Sequence, residues 1–294
     1  MAQSNKTITP LRKRMLEDMR IRGLTTATQT GYIRAVKRLT VFLGRSPDTA
    51  SAEDLRLFQL NMVEEGASSG TMNSTVSGLR FFFEVTLSRP ELLEKITYIN
   101  QPRKLPIILS RDEVTQLLQA TGNLKHRAAL SVAYGAGLRA SEVVQIRVSD
   151  IDSDRMIIRV EQGKGGKDRN AMLSPSLLEI LRAWYRHANT HRQMLPGGWL
   201  FPGQNPANHM SARQLNRILH QAHAHTRIDK PVNLHALRHA FATHLLEDGV
   251  DIRVIQVALG HKKLETTATY THVAARLLRD VKGPLEHLRL DRDS

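Results

Sequence analysis

The chain has 294 residues, with 42 Lys and Arg against 28 Asp and Glu, a net charge of +14 and no cysteine. A hydrophobic share of 41% is enough for a packed core and excludes wholesale disorder, and the lack of cysteine excludes disulfide scaffolds and thiol nucleophiles. No run of about 18 apolar residues supports a membrane span, and the N-terminal stretch MAQSNKTITPLRKRM carries no apolar signal core, so a cytoplasmic protein with a polyanionic partner is expected.

The first hundred residues read as four helices. Residues 10–22 place Leu11, Met15 and Met19 at i, i+4 and i+8. Residues 28–43 align Tyr32, Val36, Leu39 and Leu43, and 52–64 carry Leu55, Phe58 and Met62. Residues 71–87 carry Val76, Leu79, Phe82, Phe83 and Leu87, and Pro47, Gly66, Gly70 and Pro90 punctuate the series. Residues 95–109 lose the helical period, and Pro102 and Pro106 flank Arg103 and Lys104, which reads as an extended basic linker. The predicted boundary puts a helical domain at 1–104, net +6, and a second domain at 105–294, net +8.

The second domain opens on a capping box, Ser110 with Glu113 three residues on, before Val114 and Leu117. A buried helix is expected at 124–135. Met156–Val160 and Arg169–Leu173 read as two strands of a hairpin, with Gly163, Gly165 and Gly166 between them. Helices are expected at Leu177–His187, Ala212–His225, Leu234–Glu247 and Ile252–Leu259, the last capped by Asp251 and stopped by Gly260. The fold class is therefore mainly α: a four-helix N-terminal domain and a helical second domain with a small antiparallel sheet.

Some chemistry fails on the residues present. His235 and His239 have the i, i+4 spacing of a zinc pair, but Arg238 lies between them and no adjacent Glu supplies a base, so no metal is expected. The loop at 163–168 lacks the spacing and the Ser/Thr of a nucleotide-binding P-loop, and it joins two strands. It remains either a plain hairpin tip or a carrier for a mobile Lys164. Arg139 follows Gly137, and Glu142 is three residues on, either orienting the guanidinium or lying on a helix surface. His235 and Arg238 share a helix face, His261 follows a helix stop, and Tyr270 lies nine residues later.

In order, Gly-Leu-Arg-x-Ser-Glu (137–142), Gly-Lys-Gly-x-Lys-x-Arg (163–169), His-x-x-Arg-His-x-Phe-Ala-Thr (235–243), Leu-Gly-His (259–261) and Thr-x-x-Tyr-Thr-His (267–272) resemble the tyrosine recombinases, the phage integrase family. The likeness is nearest to Xer-like and integron-integrase-like bacterial members. It spans 105–275 through these motifs, and 10–90 more weakly, as a core-site-binding domain. The resemblance implies a site-specific DNA recombinase that needs no cofactor, metal or ATP. Arg139 and Arg238 would clamp the scissile phosphate, with His261 supporting it. Tyr270 would be the nucleophile, His235 its proton acceptor and Lys164 the proton donor to the leaving oxygen. Glu142 would orient the site, and Arg103, Lys104, Lys167 and Arg169 would contact DNA. The implied partners are a duplex recombination site and further copies in a homotetramer, or a related recombinase in a hetero-oligomer, acting on the nucleoid. Residues 274–290 would form a tail that either folds back on its own domain or, as the resemblance implies, docks on a neighbouring subunit. Two rivals stand beside this reading, a type IB topoisomerase-like nicking-closing enzyme and a catalytically idle DNA-binding accessory protein.

Overall fold

Caps and glycines set the helix limits. The computed structural model describes residues 9–100, 106–161, 168–260 and 267. The chain divides into two units, Met1–Arg103 and Lys104–Ser294.

In the first unit, α1 (Pro10–Ile21) starts on the Thr9 cap with Pro10 in its first turn, where a missing N–H costs nothing. The next helix, α2 (Thr26–Leu43), ends at Gly44, whose φ of 64° suits the left-handed stop. The capping box of Ser51 and Asp54 opens α3 (Ala52–Glu64). Then α4 (Ser69–Arg80) runs into a π-helical turn over Phe81–Thr86. Their buried faces carry Met15, Met19, Leu39, Leu55, Phe58, Met62, Val76, Leu79, Phe82 and Phe83. The tightest approach is at Gly78 on α4, where an added Cβ would lie 2.8 Å from the Ala35 Cβ and 3.1 Å from the Tyr32 Cα.

The linker expected from residue 95 onward does not begin there. Ile96 is buried, and two side-chain amides hold the extended stretch against the helices. Gln59 donates to the Thr97 carbonyl at 2.7 Å and accepts from the Thr97 N–H at 3.2 Å. Asn73 does the same at Ile99, at 2.9 and 2.8 Å. Each amide matches one residue's backbone donor and acceptor, as a neighbouring strand would.

In the second unit, the predicted capping box opens α5 (Arg111–Gln119), with the Glu113 Oε2 2.7 Å from the Ser110 N. The helix α6 (Leu124–Gly135) is buried over its whole Ala128–Ala133 run. After a short α7 (Ala140–Val144), strands β1 (Ile151–Asp152), β2 (Ile157–Val160) and β3 (Arg169–Met172) form an antiparallel sheet in the order β1-β2-β3. Ile158 pairs with Ala171 and Val160 with Arg169, so the buried Ile158 and Ala171 face the core together. The helices α8 (Pro175–Thr190), α9 (Ala212–Ala224), α10 (Leu234–Glu247) and α11 (Ile252–Leu259) complete the unit. The core lies around α6, which packs against α8, α9 and α10. Trp184 on α8 is buried there, and its indole N–H donates to the Leu200 carbonyl at 2.8 Å. No helix among the described residues is long and apolar enough to cross a membrane.

Candidate active site

The site begins at a backbone constraint. Gly137 follows α6 with a φ of 59°, and a Cβ there would fall 2.4 Å from the Phe241 Cδ1 on α10 and 3.1 Å from the Leu259 Cδ2 on α11. Only glycine lets the chain turn this closely between those helices. The turn delivers Arg139 as the residue before α7, and Glu142 sits in the first turn of that helix. Glu142 accepts the Arg139 N–H through Oε2 at 2.9 Å and the Arg139 guanidinium through Oε1 at 2.7 Å. One carboxylate thus caps the helix and fixes the arginine's direction.

The same carboxylate takes a second arginine. Arg169, at the start of β3, donates from Nη2 to the Glu142 Oε2 at 2.9 Å and from Nη1 to the Ala258 carbonyl at 2.5 Å. A third, Arg238, is 1% exposed on α10. It donates from Nη1 to the Gly137 carbonyl at 2.5 Å and from Nη2 to the Leu259 carbonyl at 2.6 Å, and Nη1 lies 4.0 Å from the Glu142 Oε2. Three guanidiniums therefore surround one carboxylate, leaving an excess of positive charge in a largely dry setting. Burial pushes the Glu142 carboxyl up, but the Arg139 N–H bond and the Arg169 and Arg139 charges outweigh it and hold it below its ordinary value. Burial also lowers the Arg169 guanidinium, against the opposing pull of Glu142.

The cluster brings Arg139, Glu142 and Arg238 together. Of the three arginines, Arg139 has the most open side chain, 22% exposed against 13% for Arg169. Glu142 is no helix-surface carboxylate, since it is buried. Arg169, expected among the DNA contacts, lies in this cluster. Its guanidinium is turned inward onto Glu142 and α11, because residues 169 and 171 share the core-facing side of β3. His235 is exposed at the start of α10, with its ring 4.8 Å from that of His239 in an edge-on arrangement. Desolvation, with the neighbouring charges of His235 and Arg238, lowers His239 to about 4, so it is neutral near pH 7. Among the described residues no group of three or more His, Asp or Glu is placed to hold a metal ion. Lys164, Lys167, His261, Tyr270, Arg103, Lys104 and the 274–290 tail lie outside the described residues.

Behind the cluster, Tyr134 on α6 lies 2.9 Å from the His244 Nδ1 on α10, and Arg111 on α5 donates to the His244 carbonyl at 3.2 Å and pairs with Asp248 at 2.9 Å. These bonds hold the helix that carries Arg238. No local pattern signals them, since Tyr134 and His244 are 110 positions apart.

Two family models match the chain: the phage integrase family over residues 108–276, and the phage integrase N-terminal SAM-like domain over 11–91. The integrase/recombinase-type protein y4qK of Sinorhizobium fredii is 44% identical over 283 residues, 96% of this chain and 90% of that protein. Tyrosine recombinase XerA of Pyrococcus horikoshii is 33% identical, over 81% of this chain and 80% of its own length. Tyrosine recombinase XerD of Caulobacter vibrioides is 32% identical, over 88% and 90%. The fold is also that of a lambda integrase dimer bound to a core site, at a TM-score of 0.71 and 18% identity, over 93% of this chain and 97% of that one. The chain belongs to the phage integrase family, and it is a tyrosine recombinase.

Proposed function

We propose that the protein is a site-specific DNA recombinase of the integrase type, cutting and rejoining duplex DNA through a 3′-phosphotyrosine. The observation that carries this reading is the arginine cluster: Arg139 and Arg238 held around the buried Glu142, in a chain of this family. A phosphodiester gains negative charge at its nonbridging oxygens as a nucleophile adds. Preoriented guanidiniums match that charge by paired hydrogen bonds and do not have to reorganise as it develops.

The phenol of Tyr270 attacks the phosphorus and gives its proton to His235, which is exposed and so accessible to it. With an ordinary pKa near 10, a phenol needs both that acceptor and a cationic site. The bond to the 5′-oxygen breaks, and Lys164 supplies the proton that makes it a free 5′-hydroxyl. His261 steadies the phosphate. A 5′-hydroxyl from a second duplex then attacks the phosphotyrosine, releasing Tyr270 and restoring a phosphodiester. One ester replaces another at each step, so no ATP is consumed. Exchange of both strand pairs passes through a Holliday junction in a homotetramer on synapsed DNA, and the nucleoid is the place of action. Arg103, Lys104 and Lys167 contact the duplex backbone.

The test is to trap protein–DNA adducts in cells, sequence the attached DNA and rebuild the site on two duplexes. Adducts at one sequence through Tyr270, with exchange between duplexes, support the reading. Relaxation of supercoils without exchange makes the protein a nicking-closing enzyme, and no adduct at all makes it an accessory protein.

A further inference from the structure

Arg169 has no part in the chemistry above, yet the site is built around it. We propose that Arg169 is a positioning residue that ties strand β3, the Arg139–Glu142 pair and the end of α11 into one frame. A single guanidinium then sets the direction of the phosphate clamp. This rests on the recombinase reading of the site.

Four observations carry the inference. Arg169 opens β3 and pairs across the sheet with Val160, so it stands at the base of the hairpin, five residues after Lys164 in the chain. Its Nη2 reaches the same Glu142 oxygen that caps Arg139 and lies 4.0 Å from Arg238. Its Nη1 takes the Ala258 carbonyl, and Arg238 takes the next one, at Leu259, so two arginines hold consecutive carbonyls just before His261. The chain also makes room for this side chain. At Gly260, with a φ of 63°, a Cβ would meet the Arg169 Cδ at 2.6 Å and Nε at 2.9 Å. Both of its terminal nitrogens are engaged, one by Glu142 and one by Ala258. Its fork spans two acceptors at once. A lysine, with one nitrogen, holds one at a time.

The experiment compares wild type, Arg169→Lys and Arg169→Met on a nicked duplex carrying the trapped site. It measures DNA affinity, the single-turnover cleavage rate and the rate with sulfur in place of the scissile 5′-oxygen. Both variants should bind DNA within about threefold of wild type. Cleavage should fall by about 10- to 100-fold, the size typical for groups that orient a reacting residue, with Arg169→Lys the milder. The sulfur substrate leaves without a proton, so it should recover little of a loss that lies in the clamp. Adding Glu142→Gln to Arg169→Met should cost little more than the worse single change, because both cut the same link.

Cleavage at wild-type rates in both variants would overturn the proposal. So would a loss wholly in affinity, which marks a DNA contact, or unfolding of both variants, which marks a purely structural residue. Complete sulfur rescue would place the fault at the leaving oxygen rather than at the clamp, and would overturn the proposal as well. Wild-type protein that forms no adduct refutes the recombinase reading instead, and so separates the two failures.

Discussion

Replacing Gly137 with alanine should damage the site through its floor rather than through its charges. The new Cβ meets Phe241 at 2.4 and 2.6 Å and Leu259 at 3.1 Å, well inside van der Waals contact, so a ring and a leucine on two helices have to give way. Overpacking of this kind costs about 1–3 kcal/mol, and forcing a side chain into the left-handed region adds about 1–2 kcal/mol. A combined loss of about 2–5 kcal/mol lowers the melting temperature of a unit this size by roughly 4–20 °C. Gly197 provides the control. Its φ is 62° and an added Cβ there meets nothing within 4 Å, so Gly197→Ala carries the backbone strain without the clash. Thermal unfolding of both variants, followed by single-turnover cleavage at 20 °C, gives the comparison. Gly137→Ala should melt well below Gly197→Ala and cleave more slowly, because the Gly137 carbonyl that seats Arg238 moves with the turn. Equal melting temperatures, or undiminished cleavage, would refute the reasoning.

Other outcomes follow from the same geometry. Glu142→Gln should cost about 3–5 kcal/mol by leaving buried arginines without their counter-charge. The Glu142 pKa is lowered in the folded state, so its contribution is full above the ordinary glutamate value of about 4.3 and fades as pH falls through the lower folded value; the stability gap between wild type and Glu142→Gln should narrow there, and a gap that widens in acid would contradict the assignment. Tyr270→Phe should bind its site and form no adduct, and adducts at normal yield would move the nucleophile elsewhere. DNA binding should weaken steeply with salt, with a log–log slope of about −7 for roughly eight phosphate contacts; a slope near −2 would mean incidental charge, and loss of cleavage in EDTA would point to a metal. In the first unit, Gly78→Ala should lower the melting temperature although alanine favours helix by about 1 kcal/mol, because its Cβ has no room beside Ala35; a stabilised protein would show that the helix backbones yield.

Most helices were legible because caps and apolar spacing agreed. The Ser110 box, the Asp251 cap and the glycine stop at 260 all lie where the pattern changes. The π-helical turn was not, since Phe82, Phe83 and Leu87 fit an ordinary helical stripe equally well, and only packing decides where one residue is extra. Strand β1 escaped notice because two residues give no alternation to read. In the site, the motifs exposed Arg139, Glu142 and Arg238 as a set, but Arg169 read as one more surface cation beside Lys167. The clue was parity. Residues 169, 171 and 173 alternate together, and a strand that buries Ala171 and Leu173 turns Arg169 toward the core as well.

The amides of Gln59 and Asn73 bear on where the N-terminal unit can be cut for separate use. The SAM-like match stops at residue 91, yet Leu92, Leu93 and Ile96 are buried in that unit's core, and the two amides meet their partners only at Thr97 and Ile99. A fragment ended at 91 would open an apolar hole and leave both amides facing water in place of backbone. One carried through Asn100 keeps its own closing strap. The boundary of the portable module is set by the last backbone group that a side chain of the helices can reach, at Ile99, eight residues beyond where the SAM-like match stops.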